Sequence, residues 1–233
     1  MRDPEKPRQI PLDLGHAVAT SRDDLIVSQA NREAVDLIDR WPDWPSPVVV
    51  LAGPAGSGKS HLAAMWCEQA HAARIAPGDI ASAMQHLSVG QPVLVDDADG
   101  GDLDENGLFH LINTVRGGAA HLLLTARRFP SSWRVGLPDL ASRLRAAATV
   151  EIQEPDDLLL AGVITKLFAD RQVEVEPHIV QYLVRRMERS LSTAISVVAR
   201  LDGAALEQKT RITRALAAET LNAMDRGQSE LDL

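Results

Sequence analysis

Apolar residues along this chain fall into two patterns that alternate. Short, mainly apolar runs occur within 48–52, 92–97, 121–125 and 148–152. Each is too short for a helix core and is bounded by turn residues, as expected of strands buried on both faces. Between them, apolar positions recur at helical spacing. Leu25, Ile26, Ala30, Ala34, Leu37 and Ile38 predict a helix over about 28–39, which Trp41-Pro42-Asp43-Trp44-Pro45 cannot continue. Further helices are predicted at 59–72, at 80–88, from Asp104 through Asn113 with Gly117-Gly118 as the stop, and at 138–145. Strands alternating with helices predict a parallel sheet covered on both faces.

After Pro155 the strand pattern stops. Segments 156–170, 177–188, 191–207 and 213–225 all read as helices, with Pro177 and Gly203 suggesting boundaries. The first 21 residues hold several prolines and show little periodicity, which predicts an extended arm. The expected organisation is an arm at 1–21, an α/β domain at 22–154 and a small all-α domain at 155–233.

Composition narrows this picture. The chain has 233 residues, 45% of them hydrophobic but only 3% aromatic, so its core must be built from Leu, Val, Ile and Ala. The single Cys67 can form no internal disulfide or cysteine-based zinc site, and reads as a small core residue. No apolar stretch is long enough to span a bilayer, and the polar start lacks the apolar segment of a signal peptide. A cytoplasmic location without membrane partners is expected. The net charge of −8 argues against direct, non-specific DNA binding, although arginines cluster at Arg127/Arg128, Arg143/Arg145 and Arg185/Arg186/Arg189. Acting on DNA through another protein fits this balance better.

The chemistry begins where the first strand ends. Gly53-Pro54-Ala55-Gly56-Ser57-Gly58-Lys59-Ser60 is a complete phosphate-binding loop, followed by a helix that opens with His61. Its glycines allow a tight turn that aims backbone N–H groups at a triphosphate. Lys59 supplies charge to the β- and γ-phosphates, and Ser60 offers a hydroxyl to Mg²⁺. The helix points its positive end at the same anion. A second strand, Val93-Leu94-Val95, ends in Asp96 and Asp97. The first carboxylate can organise Mg²⁺ through its waters, and the second can orient the water that attacks the γ-phosphate. ADP or ATP with Mg²⁺ is the expected cofactor.

With these motifs the chain resembles the AAA+ P-loop ATPases, and within them the DnaA-related group. The residues carrying the likeness are 53–61, Val-Leu-Val-Asp-Asp at 93–97, Phe-His-Leu-Ile-Asn at 109–113, 122–130, and Leu-Pro-Asp-Leu-Ala-Ser-Arg-Leu at 137–144. The likeness spans roughly residues 22 to 225. DnaA's C-terminal DNA-binding domain has no counterpart here, so no direct sequence-specific DNA binding is expected. In the arm, Gln9, Ile10, Leu12 and Leu14 are similar to the peptide by which bacterial proteins bind the DNA sliding clamp. Glutamine can anchor such a peptide by hydrogen bonds while the three aliphatic side chains fill an apolar pocket. A loose match of this kind arises by chance in about one chain in ten, so an arm packed on its own domain stays an alternative.

An arm of this kind on a DnaA-like core is similar to the Hda-type regulatory inactivators of DnaA. That resemblance implies a nucleotide-bound adaptor, in its ADP form, that joins the clamp to DnaA and stimulates hydrolysis of DnaA-bound ATP. It thereby restrains replication initiation at the nucleoid. It also implies that Arg143 is an arginine finger acting in trans, with Arg145 or a plain surface ion pair as the alternatives. Leu25 and Ile26 would line the adenine pocket, although an ordinary core role fits them equally. Two positions depart from the family pattern. Arg127 stands where DnaA-like proteins usually carry Asp or Asn, and Ser192 falls where the lid's sensor arginine usually sits. Both departures imply at most weak ATPase activity, unless Arg185, Arg186 or Arg189 substitutes. The runner-up reading is an independent ATPase, such as a helicase loader, that forms a homo-oligomer through Arg143.

Overall fold

Five strands form one parallel sheet in the computed structural model, which describes Arg22, residues 25–118 and residues 120–229. They are β1 (Val48–Ala52), β2 (Ala73–Ile75), β3 (Val93–Val95), β4 (Leu122–Ala126) and β5 (Ala148–Glu151). The spatial order is β2-β3-β4-β1-β5, and every pairing is parallel. β1 lies between β4 and β5, with Val50 level with Leu124 on one side and Thr149 on the other. All five of its residues are buried, which explains why its sequence is a continuous aliphatic run rather than an alternating one.

The helices of this unit are α1 (Arg32–Asp39), α2 (Lys59–Ala70), α3 (Ile80–Met84), α4 (Glu105–Gly117) and α5 (Pro138–Arg145). Because successive strand side chains point to opposite faces, the sheet divides the core into two layers. Val48, Val50, Val93, Val95, Leu122 and Leu124 pack with Ile80, Leu108, Leu111, Ile112, Leu140 and Leu144 of α3, α4 and α5. Their neighbours Val49, Leu51, Leu94 and Leu123 pack on the other face with α1 and α2, through Val35, Ile38, Leu62 and Trp66. Each fully buried aliphatic side chain stabilises the fold by about 1.5–3 kcal/mol relative to exposure. Cys67 is buried in this second layer, its thiol donating to the Ala72 carbonyl at 3.1 Å.

Several expectations need correction. Only four strands are predicted from the apolar runs; β2 is the fifth. It has three residues, of which Ile75 alone is buried, and it pairs only with β3 at the sheet edge, so it leaves no periodic pattern. The first helix begins at Arg32 rather than near Ser28, because polar side chains hold the preceding turn. Asn31 Oδ1 accepts from the Ser28 N–H at 2.8 Å, and Asn31 Nδ2 donates to the Ile26 carbonyl at 2.9 Å. α3 stops at Met84 instead of continuing to 88.

The chain divides between Pro155 and Asp156 into two units. The described part of the second unit is helical: α6 (Asp157–Asp170), α7 (Pro177–Arg186), α8 (Leu191–Gln208) and α9 (Arg214–Ser229). Leu160, Ile164, Phe168, Leu183, Val197, Val198, Leu201 and Ala217 form its core. Asp156 caps α6 by accepting from the Leu159 N–H at 2.8 Å, and Ser190 caps α8 by accepting from Thr193. Gly203 ends nothing: it lies inside α8, where a helical glycine costs about 1 kcal/mol relative to alanine. The helix runs on to Gln208 and stops at left-handed Lys209 (φ 51°).

Candidate nucleotide site

The strand order reverses at β1, whose sequence neighbours along the chain lie elsewhere in the sheet. In parallel α/β sheets ligands bind beyond the carboxyl ends of the strands at such a point. Here the loop 53–58 leaves β1 and enters α2. Gly56 (φ 70°) and Gly58 (φ 100°) take left-handed backbone that side chains disfavour. Gly53 is required for a different reason: a Cβ there would lie 2.2 Å from the Ile152 carbonyl oxygen. The N-cap residue of α2 is Gly58, which has no side chain to cap with, so the helix's first N–H groups are available to an anion.

Lys59 is 8% exposed, and its Nζ donates to the Gly53 and Pro54 carbonyls, each at 2.7 Å. Burial holds its ammonium below the ordinary lysine range. The carboxylates of Asp97, Asp96 and Asp99 oppose that shift, while the Arg127 charge adds to it. Ser57 is buried beside this lysine, and Pro54, Ala55, Ser60 and His61 complete the loop and the first turn of α2. Burial also keeps the His61 imidazole below its usual range, against the opposing field of Glu68.

The loop meets the ends of two other strands. Ser60 Oγ donates to Asp96 Oδ1 at 3.1 Å, and the Thr125 hydroxyl donates to the same oxygen. Thr125 also accepts from the Asp97 N–H at 2.8 Å. This buried threonine near the end of β4 therefore holds the Asp96 carboxylate and the Asp97 backbone, a role not foreseen from the sequence. Its trace was present in the run Leu122-Leu123-Leu124 closed by one hydroxyl two positions before Arg127-Arg128. Ser60 and Asp96 bring two hard oxygen donors together, a donor set that suits Mg²⁺, which keeps several of its waters. Among the described residues there is no cluster of three acidic, histidine or cysteine side chains able to cage a metal.

Asp97 itself has left-handed backbone (φ 57°), and its carboxylate is 3.5 Å from Arg127 Nε. The backbone beyond β4 is pinned by Asp99, whose side chain is only 3% exposed. Its carboxylate accepts from the Arg127 N–H at 2.9 Å and the Arg128 N–H at 3.2 Å.

Arg143 lies on α5, its guanidinium 5.0 Å above the Phe109 ring of α4. No carboxylate pairs with it among the described residues. Arg145 on the same helix is exposed. Leu25 is half-buried and packs against the core layer that holds α1 and α2, while the Ile26 carbonyl accepts from Asn31. In the helical unit, Ser192 Oγ lies 2.7 Å from Ser190 Oγ, Arg189 pairs with Asp157, and Arg186 stacks on Tyr182. Gln9, Ile10, Leu12 and Leu14 lie outside the described residues. No helix among the described residues is long and apolar enough to cross a membrane.

The model of the family described as "Hda, lid domain" matches residues 163–221. The structure is similar to domain III of the replication initiation protein DnaA from Thermotoga maritima, at 15% identity and a TM-score of 0.72. That match covers 88% of this chain and 96% of that one. It is similar to AMPPCP-bound DnaA from Aquifex aeolicus at 19% identity and a TM-score of 0.67, covering 89% and 69%. The Thermotoga maritima RuvB Holliday junction branch migration motor is as near in shape, with 19% identity, a TM-score of 0.71 and coverage of 88% and 72%. The chain spans about two thirds of the length of the longer initiator chains it matches. Fold likeness alone therefore reaches both replication initiators and a branch migration motor, and the family match is confined to the helical segment 163–221. Residues 163–221 thus match the Hda lid-domain family, and the fold of the chain is similar to that of DnaA domain III.

Proposed function

We propose that this chain is a nucleotide-gated adaptor that restrains replication initiation by prompting DnaA to hydrolyse its bound ATP. The observation that carries this reading is the Hda-type lid on a chain whose phosphate loop, Ser60 and Asp96 are complete and mutually oriented. The loop amides and Lys59 hold the β-phosphate of ADP, or the β- and γ-phosphates of ATP, with Lys59 exchanging its two carbonyl partners for phosphate oxygens. Ser60 and Asp96 hold Mg²⁺, which when bound neutralises phosphate charge. Leu25 and Ile26 flank the base.

Arg143 serves another molecule's nucleotide. Stacked on Phe109 with no carboxylate partner among the described residues, it keeps its positive charge available, and a guanidinium placed at a developing γ-phosphate charge accelerates transfer by about 10³–10⁵. Gln9, Ile10, Leu12 and Leu14 tether the chain to the sliding clamp, which brings Arg143 to DnaA on DNA. The test is an assay of DnaA-bound ATP on clamp-loaded DNA, with and without this protein. Hydrolysis that is faster only when clamp, DNA and protein are all present is expected; an unchanged rate refutes the adaptor reading.

A second reading is favoured by the intact Asp96/Asp97 pair and the likeness to a branch migration motor. It makes the chain an ATPase in its own right, assembled with copies of itself. Fast turnover by the purified protein without clamp or DnaA selects that reading.

A further inference from the structure

We propose that Arg127 keeps this chain's own ATP hydrolysis slow by occupying the Asp97 carboxylate. The inference rests on the reading of residues 53–60, Asp96 and Asp97 as a nucleotide site. Hydrolysis joins a water oxygen to the γ-phosphorus as the bond to the β–γ bridging oxygen breaks. ADP leaves with the bonding electron pair, and one water proton is released to solvent. Asp97 assists by accepting a hydrogen bond from that water, and a guanidinium beside the carboxylate draws it aside and weakens it as an acceptor. In this structure Asp97 Oδ1 faces Arg127 Nε at 3.5 Å.

The pairing is built into the ends of two neighbouring strands. The Thr125 hydroxyl holds the Asp97 backbone N–H at 2.8 Å, and the buried Asp99 carboxylate holds the Arg127 N–H at 2.9 Å. Both anchors grip backbone, so the two charged side chains start from fixed positions two residues beyond β3 and one beyond β4. The Arg127 charge also adds to the lowering of the Lys59 ammonium that burial causes, so it acts on the same loop. Both partners are more than half exposed. Exposed pairs of this kind are weak, so Arg127 biases Asp97 away from water rather than locking it.

The experiment measures binding and turnover separately on the full chain. Fluorescent ATP affinity and single-turnover hydrolysis are compared for wild type, Arg127→Met, Arg127→Lys, Asp97→Asn and the Met/Asn double variant. Arg127→Met keeps the alkyl stem and the Asp99 anchor but removes the charge. Expected is a roughly fivefold faster turnover with affinity within threefold of wild type. Arg127→Lys stays slow, and the gain disappears in the Asp97→Asn background. If Arg127→Met binds ATP normally but turns over no faster, the proposal fails while the nucleotide reading stands. A tenfold loss of affinity in Arg127→Met makes Arg127 a phosphate ligand and also overturns the proposal. Wild-type protein that binds no nucleotide overturns the underlying reading itself.

Discussion

Ser60 Oγ and Asp96 Oδ1, thirty-six positions apart in the chain, meet at 3.1 Å. A hydroxyl from the start of α2 and a carboxylate just beyond β3 thus lie side by side, and they are the pair proposed to hold one hard cation. Replacing Asp96 with Asn keeps an oxygen for the Ser60 and Thr125 hydroxyls but removes the charge. The Asp96→Asn variant is expected to fold normally and to lose at least about tenfold, or 1.4 kcal/mol, of Mg²⁺-dependent nucleotide affinity. Calorimetric titration with and without Mg²⁺ checks this.

Gly53 makes a contact that no other residue can make. Its α-carbon passes so near the Ile152 carbonyl that a methyl group would overlap it at 2.2 Å, and the obstacle is backbone, which cannot rotate away. Gly53→Ala should destabilise the α/β unit by about 1–3 kcal/mol. It should also displace the loop, so denaturant midpoint and nucleotide affinity fall together.

Arg143 rests on the Phe109 ring at 5.0 Å, a cation–π contact worth about 0.5–1 kcal/mol at an exposed site. Arg143→Ala should therefore lower stability by no more than about 1 kcal/mol. If the residue is the finger, the same variant loses essentially all stimulation of DnaA-bound ATP hydrolysis while still binding the clamp. Arg145→Ala, tested in parallel, should retain stimulation.

Two histidines set an acid limit on stability. Burial holds both His61 and His121 below the ordinary histidine value of 6.5, with a hydrogen bond to the Pro42 carbonyl partly opposing this at His121. The folded chain therefore binds fewer protons than the unfolded chain just below pH 6.5, and stability rises with pH there. Their contribution is complete above 6.5 and is lost as pH falls through the lowered folded values. His121 contacts Trp41 and Trp44 edge-on. His121→Phe keeps a ring in that place, and should flatten the fall in melting temperature below pH 6.5.

Replacing Gln9 and Leu12 together with Ala should abolish capture by immobilised sliding clamp. Nucleotide affinity and melting temperature should not change. Clamp affinity equal to wild type refutes the assignment of the arm.

Local chemistry sufficed for much of this protein. The aliphatic run 48–52 reads as a strand buried on both faces, and the glycine spacing after it as a tight phosphate-binding turn, since both depend on neighbours within a few positions. The four helices after Pro155 follow from periodicity and from proline and cap residues in the same way. Other features arise only when distant segments meet. β2 exists because β3 offers its open edge to Ala73-Arg74-Ile75, which has no pattern of its own. Gly203 looked like a boundary, yet packing on both sides of it carries α8 straight through. Thr125 became the organiser of Asp96 and Asp97 through strand pairing, and Arg127 met Asp97 because β3 and β4 end side by side. Side-chain type and short spacing are properties of the chain; which carboxylate a given hydroxyl or guanidinium reaches depends on register between strands, and only the assembled sheet sets that.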